Sequence, residues 1–114
     1  MKSPDDFNII PTPVRLDVNP KYTGKGITIC FIDSGFYPHP DLTAVNNRIL
    51  KMVDITDAKN KTNYFSKPNN NSWHGTMTTV ACAGDGYLSN GLYKGIASDA
   101  NLVLLNIHLL HMQQ

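Results

Sequence analysis

The sequence predicts an α/β domain built around a mainly parallel sheet. Three apolar runs carry this prediction, over residues 27–32, 49–55 and 102–107. The first run is apolar at nearly every position, which is typical of a strand buried on both faces, as strands of parallel sheets are. Cys30 lies within it and is expected to pack as a small hydrophobic group.

Length and charge narrow the classes of function. The 114 residues suffice for one domain, which at this size buries roughly two thirds of the surface of its unfolded chain. Ten basic residues against nine acidic ones give no electrostatic basis for binding nucleic acid or a membrane. No stretch approaches the ~20 apolar residues that span a bilayer, and the N-terminus lacks the apolar core of a signal peptide. As written, the chain is expected to be cytoplasmic, and a truncated sequence would leave secretion open.

The chain reaches its first strand through a lead-in segment, residues 1–26, which is rich in Pro, Asp and Lys. A short helix is predicted over residues 14–19, and the two glycines of residues 22–26 predict a turn, because glycine readily adopts a positive φ. The sheet-and-helix core then extends over residues 27–108. Within it, residues 57–72 form a loop dense in Asn and Lys that we expect to be mobile and easily cleaved.

Residues 74–83 are ambiguous by local propensity. Three threonines and a valine restrict χ1 and weaken a helix, so propensity alone favours a strand in this segment. Strands that are separated by a helical or looping segment still indicate the α/β layout.

Asp33 ends the first apolar run, at the carboxyl end of a predicted buried strand. Open α/β sheets place ligands and catalytic groups at this edge. A carboxylate there can accept a hydrogen bond from a histidine Nδ1–H, fix the tautomer and stabilise the imidazolium. The alternative is structural, with Asp33, Ser34 and Gly35 merely closing the strand in an Asx-type turn.

His74 opens a segment of small residues 41 positions after Asp33. As a general base it would take a proton from a serine hydroxyl and return it to the leaving amine. Gly75 would leave room for a substrate beside it. The alternative is a surface histidine at a turn, but its occurrence together with Asp33 favours the catalytic interpretation.

Three segments of the chain match the motifs of one known family in order. Residues 29–42, Ile-Cys-Phe-Ile-Asp-Ser-Gly-Phe-Tyr-Pro-His-Pro-Asp-Leu, resemble the aspartate box of the subtilisin-like serine proteases (subtilases, peptidase family S8). His74-Gly-Thr and the small residues after it are similar to the histidine box of that family. Residues 93–102 are similar to the segment that leads into its next strand. With the lead-in, the resemblance covers roughly residues 14–108.

The resemblance implies a partial, incomplete subtilisin-like three-layer fold, with the chain forming the N-terminal part of a catalytic domain. It also implies that Asp33 and His74 are the aspartate and histidine of an Asp-His-Ser triad for peptide-bond hydrolysis. Residues 74–84 would then be helical. Met77 and Val80 depart from the histidine and glycine that are usual in this helix, which affects its fit more than the identity of His74.

No serine of the chain stands in the context of the family's serine box, and the oxyanion-hole asparagine is also absent. The six serines are Ser3, Ser34, Ser66, Ser72, Ser89 and Ser98. Ser34 adjoins Asp33 and cannot also present its hydroxyl to the far nitrogen of His74. Because an oxyanion hole supplies a large share of the rate, the chain alone is expected to be inactive.

This chemistry requires no cofactor. The four histidines have no zinc-binding spacing: His39, His74, His108 and His111. The resemblance makes Asp41 a candidate calcium ligand, since some subtilases bind calcium through the matching aspartate and through loop carbonyls after the histidine helix. The alternative is that Asp41 caps a turn or a helix start.

Two functional hypotheses follow. In the first, the chain is the N-terminal part of a serine endopeptidase that acts on proteins or peptides, interrupted at Gln114 in the gene or in the sequence. In the second, it is a non-catalytic remnant, a module that binds peptides or a partner, or a half-enzyme completed in trans. An unfinished sheet would leave an open edge and an apolar face through which the chain could associate.

Overall fold

The computed structural model of the chain describes residues 9–55 and 68–107. Its elements, in chain order, are α1 (Thr12–Arg15), β1 (Thr28–Asp33), α2 (Pro40–Thr43), β2 (Ile49–Asp54), α3 (Ser72–Ala83), a 3₁₀ turn (Tyr87–Ser89) and β3 (Asn101–Asn106). The three strands form one parallel sheet in the order β1-β3-β2. The α/β prediction with a parallel sheet is confirmed, and each strand lies close to its apolar run. The predicted loop over residues 57–72 falls largely outside the described residues.

The side chains of the strands alternate between two faces, and one face carries the core. That core is a cluster of buried residues: Phe36, Leu42, Ala83, Leu102 and Leu104. On the opposite face Ile32 is 61% exposed, and Cys30 is a free, exposed thiol. The expectations that the first strand is buried on both faces and that Cys30 packs inside are therefore wrong. The reason is that α3 packs on the core face, whereas no described helix covers the other face of β1.

Helix α3 overrides the local propensity of its sequence, so the strand favoured for residues 74–83 is wrong. The threonine hydroxyls bond back to carbonyls of the preceding turn: Thr76 Oγ1 donates to Ser72 O at 2.6 Å, and Thr79 Oγ1 to Gly75 O at 2.7 Å. These bonds satisfy the hydroxyls within the helix, so the polar side chains cost little there. The helix has 12 residues, and no helix in residues 9–55 or 68–107 is long and apolar enough to cross a membrane.

The lead-in helix begins earlier than predicted. It extends over Thr12–Arg15, whereas the sequence favoured residues 14–19. Pro13 lies in its first turn, where a fixed φ and a missing N–H are tolerated. The predicted turn before β1 is present, with Gly24 and Gly26 both at positive φ.

A single buried arginine joins the elements that surround the sheet. Arg48, only 7% exposed, donates to three main-chain carbonyls: Asp41 O at 2.9 Å, Ala83 O at 2.6 Å and Ala100 O at 3.1 Å. These carbonyls belong to α2, to the last turn of α3 and to the residue before β3. Burial lowers the pKa of Arg48, and the carboxylates of Asp85, Asp99 and Asp41 oppose that shift. The guanidinium thus anchors the C-terminal end of α3 to the sheet.

Replacing Arg48 by Met should destabilise the fold by about 3 kcal/mol, because the carbonyls that it serves would lose a buried donor at about 1 kcal/mol or more each. Urea unfolding followed by circular dichroism measures this loss. The matched control is Arg15→Met, at an exposed position, which should change the free energy of unfolding by no more than about 0.5 kcal/mol. Equal effects of the two substitutions would contradict the anchoring role of Arg48.

Candidate active site

Asp33 and His74, which the sequence proposes as a catalytic pair, meet at the carboxyl end of β1. Asp33 is the last residue of β1, and His74 lies in the first turn of α3. His74 Nδ1 lies 2.8 Å from Oδ1 of Asp33 and 3.0 Å from Oδ2. An ionised carboxylate only accepts hydrogen bonds, so the proton of the neutral imidazole lies on Nδ1. Nε2 is then the basic nitrogen of the ring.

The Asp33 carboxylate is held by its own turn as well as by His74. The Ser34 N–H donates to Oδ1 at 2.6 Å, and the Ser34 hydroxyl donates to the same oxygen at 3.2 Å. Burial raises the pKa of Asp33, whereas the Ser34 N–H and the contact with His74 lower it. The lowering effects together are larger, so the pKa lies below its ordinary value. The carboxylate is thus stabilised in the ionised form that a histidine partner needs.

Two glycines let the first turn of α3 touch the loop after β1. A Cβ on Gly35 would overlap the carbonyl of Asn71, and a Cβ on Gly75 would overlap the carbonyl of Gly35. The same Cβ on Gly75 would come within 2.8 Å of the Phe36 ring. The main chain of α3 is in direct contact with the main chain of the loop after β1, and only glycine permits this approach. Gly75 is buried in this contact and serves close packing, so the expectation that it leaves room for a substrate is wrong.

The imidazole of His74 is accessible, whereas its partner is sheltered. The side chain of His74 is 47% exposed, and that of Asp33 is 16% exposed. The Trp73 ring meets the imidazole edge to face, with ring centroids 5.1 Å apart and an interplanar angle of 78°. A half-exposed base that is oriented by a sheltered carboxylate can be reached by a reacting group from solvent.

The described serines are engaged in other contacts or lie outside hydrogen-bond reach of His74. Ser34 donates to Asp33, Ser72 Oγ accepts the Asn69 N–H at 3.0 Å, and Ser89 Oγ donates to Gly86 O at 3.1 Å. In residues 9–55 and 68–107, the hydrogen bonds of the His74 ring go to Asp33, and none goes to a serine. Ser3 and Ser66 lie outside the described residues.

Asp41, the candidate calcium ligand, is buried and bonded to protein groups. Its Oδ1 accepts the Leu88 N–H at 2.9 Å, and its carbonyl accepts from Arg48 and from the Asp85 N–H. Among the described residues, no group of three or more His, Cys, Asp or Glu side chains is arranged to hold a metal ion. These contacts fit the structural alternative, in which Asp41 joins α2 to the loop after α3. Calcium binding stays a prediction.

An apolar groove of about 660 Å³ lies along the side of α3 that carries Trp73. It begins next to the candidate catalytic histidine, because Trp73 precedes His74. Its lining combines the start of the described chain with one face of α3 and includes Ile9, Ile10, Tyr37, Trp73, Met77 and Val80. Several of these side chains are exposed, so the groove is an accessible apolar surface.

Sequence reasoning missed two polar neighbours of Asp33. Thr78 Oγ1 lies 3.4 Å from Oδ2 of Asp33, although its single proton also has Gly75 O within 2.9 Å. Asn106 is the register partner of Asp33 on β3. The only signal for Asn106 in the sequence was its place at the end of the strand, where the alternation through Leu102 and Leu104 predicts another apolar residue.

Comparison with known proteins identifies what the chain is similar to. The sequence profile of the Subtilase family matches residues 24–112. The serine protease AprX of Bacillus subtilis (strain 168) is 38% identical over 81 residues, which are 71% of this chain. The same stretch covers only 16% of the length of that relative. The matched family range includes both Asp33 and His74.

Replacing Asp33 by Asn tests the direction of its pKa. Because that pKa lies below the ordinary value of about 3.9, ionisation stabilises the fold above this value, and the contribution is lost as the pH falls through the folded-state pKa. Asp33→Asn should be less stable than the wild type near neutral pH, and the gap should narrow below about pH 5. Urea unfolding at several pH values measures this gap.

The control for that series is Asp17→Asn, which removes an exposed carboxyl at the end of α1 and should leave the pH dependence of the wild type in place. An Asp33→Asn gap of the same size at every pH would contradict the stated pKa direction.

Replacing Gly75 by Ala sets helix propensity against packing. Alanine is favoured over glycine by about 1 kcal/mol inside a helix, but its Cβ would overlap the carbonyl of Gly35. We expect net destabilisation in urea unfolding, together with loss of the downfield Nδ1 proton signal of His74 in NMR spectra, because α3 must move away from β1. A variant that is more stable than the wild type and keeps the signal would show that the contact between Gly35 and Gly75 does not set the position of α3 against β1.

Proposed function

The chain belongs to the Subtilase family of serine-type peptidases, and on that premise we propose that Asp33 and His74 are two members of a triad for peptide-bond hydrolysis. The observation that carries this proposal is the 2.8 Å contact between His74 Nδ1 and Asp33 Oδ1 at the carboxyl end of β1. The lowered pKa of Asp33 and the exposed imidazole of His74 support it.

In this proposal His74 is the general base and Asp33 orients it. Nε2 takes the proton of a serine hydroxyl as that oxygen attacks the peptide carbonyl, and then gives the proton to the leaving amine. Asp33 stays ionised, accepts the Nδ1–H and stabilises the imidazolium while it exists. The close contact of Gly35 and Gly75 fixes the geometry, because it sets the distance between α3 and β1.

The nucleophilic serine would be supplied by polypeptide outside these 114 residues, and the chain alone would not hydrolyse peptides. The engaged hydroxyls of Ser34, Ser72 and Ser89 support this part of the proposal. The matched stretch makes up a small share of AprX, whose printed name is that of a serine protease, so most of that protein has no counterpart in the match.

A second candidate function is binding of a peptide or a partner without catalysis. It is favoured by the apolar groove beside Trp73 and by the exposed sheet face at Ile32. Either surface could associate with an apolar segment of another chain, including a chain that completes the site in trans.

A chimera separates the two functions. The 81 aligned residues of AprX are replaced by the matching residues of this chain, with the exchanged segment extended where needed to include Asp33 and His74. The chimera should cleave a fluorogenic peptide and react with a fluorophosphonate at the serine of the host. His74→Ala in the chimera should lower kcat/KM by at least about 10³-fold, because the proton acceptor is lost.

The matched control is His39→Asn in the same chimera. It keeps a side-chain acceptor for the Asp41 N–H, which His39 Nδ1 now accepts at 3.1 Å, and should leave kcat/KM within a few-fold. A folded chimera that is inactive, or one in which His74→Ala retains activity, would reject the triad roles. Fluorophosphonate labelling of the 114-residue chain by itself would reject the claim that the nucleophile lies elsewhere.

A further inference from the structure

Three polar side chains form a row across the carboxyl edge of the sheet. Asp33 ends β1, Asn106 ends the central strand β3 and Asp54 ends β2, and the register pairs Asn106 with both carboxylates. On β3 the buried side chains alternate through Leu102 and Leu104 to Asn106, so Asn106 lies on the face that carries the core and α3. Asn106 is therefore the sheet neighbour of Asp33 on the side of His74.

The position of Asn106 is not explained by packing. The residue is 0% exposed, and neither Oδ1 nor Nδ2 has a hydrogen-bond partner in the described part of the chain. A buried unpaired polar group costs about 1–3 kcal/mol, whereas a leucine, as at positions 102 and 104, would fill the space without this cost. Stability is thus given up at the point where the sheet meets Asp33, which is where functional residues commonly break packing rules.

We propose that Asn106 is a positioning residue that holds the Asp33 carboxylate from the sheet side. Its Nδ2–H, which has no direct partner in the described residues, donates to Oδ2 of Asp33 through one enclosed water and balances the Ser34 contact on Oδ1. This inference rests on the proposed role of Asp33 in the triad.

The bonding of the carboxylate leaves room for such a donor. Oδ1 accepts the Ser34 N–H and the shorter contact from His74, whereas Oδ2 has the longer His74 contact of 3.0 Å and the shared Thr78 hydroxyl at 3.4 Å. Thr78 has a single hydroxyl proton, and Gly75 O lies closer to it at 2.9 Å, so Oδ2 can still accept one of the two hydrogen bonds that a carboxylate oxygen takes. Asp54, on the other side of Asn106, already has an interaction of its own. Because Nδ2 of Asn106 has no partner in the described residues, a bond toward Asp33 would break no existing contact.

The test uses Asn106→Leu in the full 114-residue chain, with two NMR readouts that need no activity. The pKa of Asp33, read from its carboxyl ¹³C shift, should rise by about half a pH unit or more when the donor is lost. The downfield Nδ1 proton of His74 should broaden or shift, because the carboxylate is held from one side only. The matched control is Asn101→Leu, the same change at the other end of β3, which should leave both readouts unchanged.

An unchanged Asp33 titration in folded Asn106→Leu would overturn the proposal, whatever the change in stability, because a purely structural residue would behave in this way. If Asn106→Leu does not fold, Asn106→Ala is measured by the same criteria. The outcome is separable from that of the proposed function. An active chimera that tolerates His74→Ala would reject the triad, whereas the Asp33 titration reports only on the contact with Asn106.

Discussion

The buried guanidinium of Arg48 is the interaction on which the arrangement of helices and strands depends. It donates to the carbonyls of Asp41, Ala83 and Ala100. The main-chain carbonyl of Arg48 also accepts the Leu102 N–H at 2.8 Å. A carbonyl at the end of a helix has no partner within the helix, so the Arg48 contact with Ala83 satisfies a group that would otherwise be orphaned. The C-terminal end of α3 is fixed in this way on the core face of the sheet. The other end, where His74 lies, is held by separate contacts.

The N-terminal end of α3 is fixed by contact rather than by charge. Gly35 and Gly75 bring the two backbones together, and Thr76 Oγ1 accepts the Tyr37 N–H at 2.8 Å. Neither contact involves the side chain of Asp33 or of His74. The Asp33–His74 hydrogen bond is thus a consequence of where two elements are held, and it does not have to hold them itself. A base that is positioned by its scaffold keeps its geometry through changes of protonation, which catalysis by proton transfer requires.

The parts that could be predicted from sequence are those that depend on local patterns. Continuous apolar runs located the three strands of the described residues, because a run of apolar and β-branched residues is a local pattern. Helix α3 could not be predicted from propensity, since its threonine hydroxyls are satisfied by carbonyls one turn back. Only the resemblance to a family indicated the helix. Arg48 and Asn106 were beyond reach for a different reason: an isolated arginine or asparagine gives the pattern of a surface residue, and only the assembled fold buries it.

The two ends of the sheet differ in how their buried polar groups are satisfied. Near the start of β3, Arg48 supplies donors to three carbonyls and leaves only its Nε without a partner in the described residues. At the carboxyl edge, Asn106 lies between Asp33 and Asp54 in the register, and neither of its amide atoms has a hydrogen-bond partner in residues 9–55 and 68–107. A sequence selected for stability alone would place an apolar residue there, as it does at Leu102 and Leu104. Polar groups retained at this cost beside a histidine-bonded carboxylate indicate that the carboxyl edge is organised around Asp33 rather than around the core.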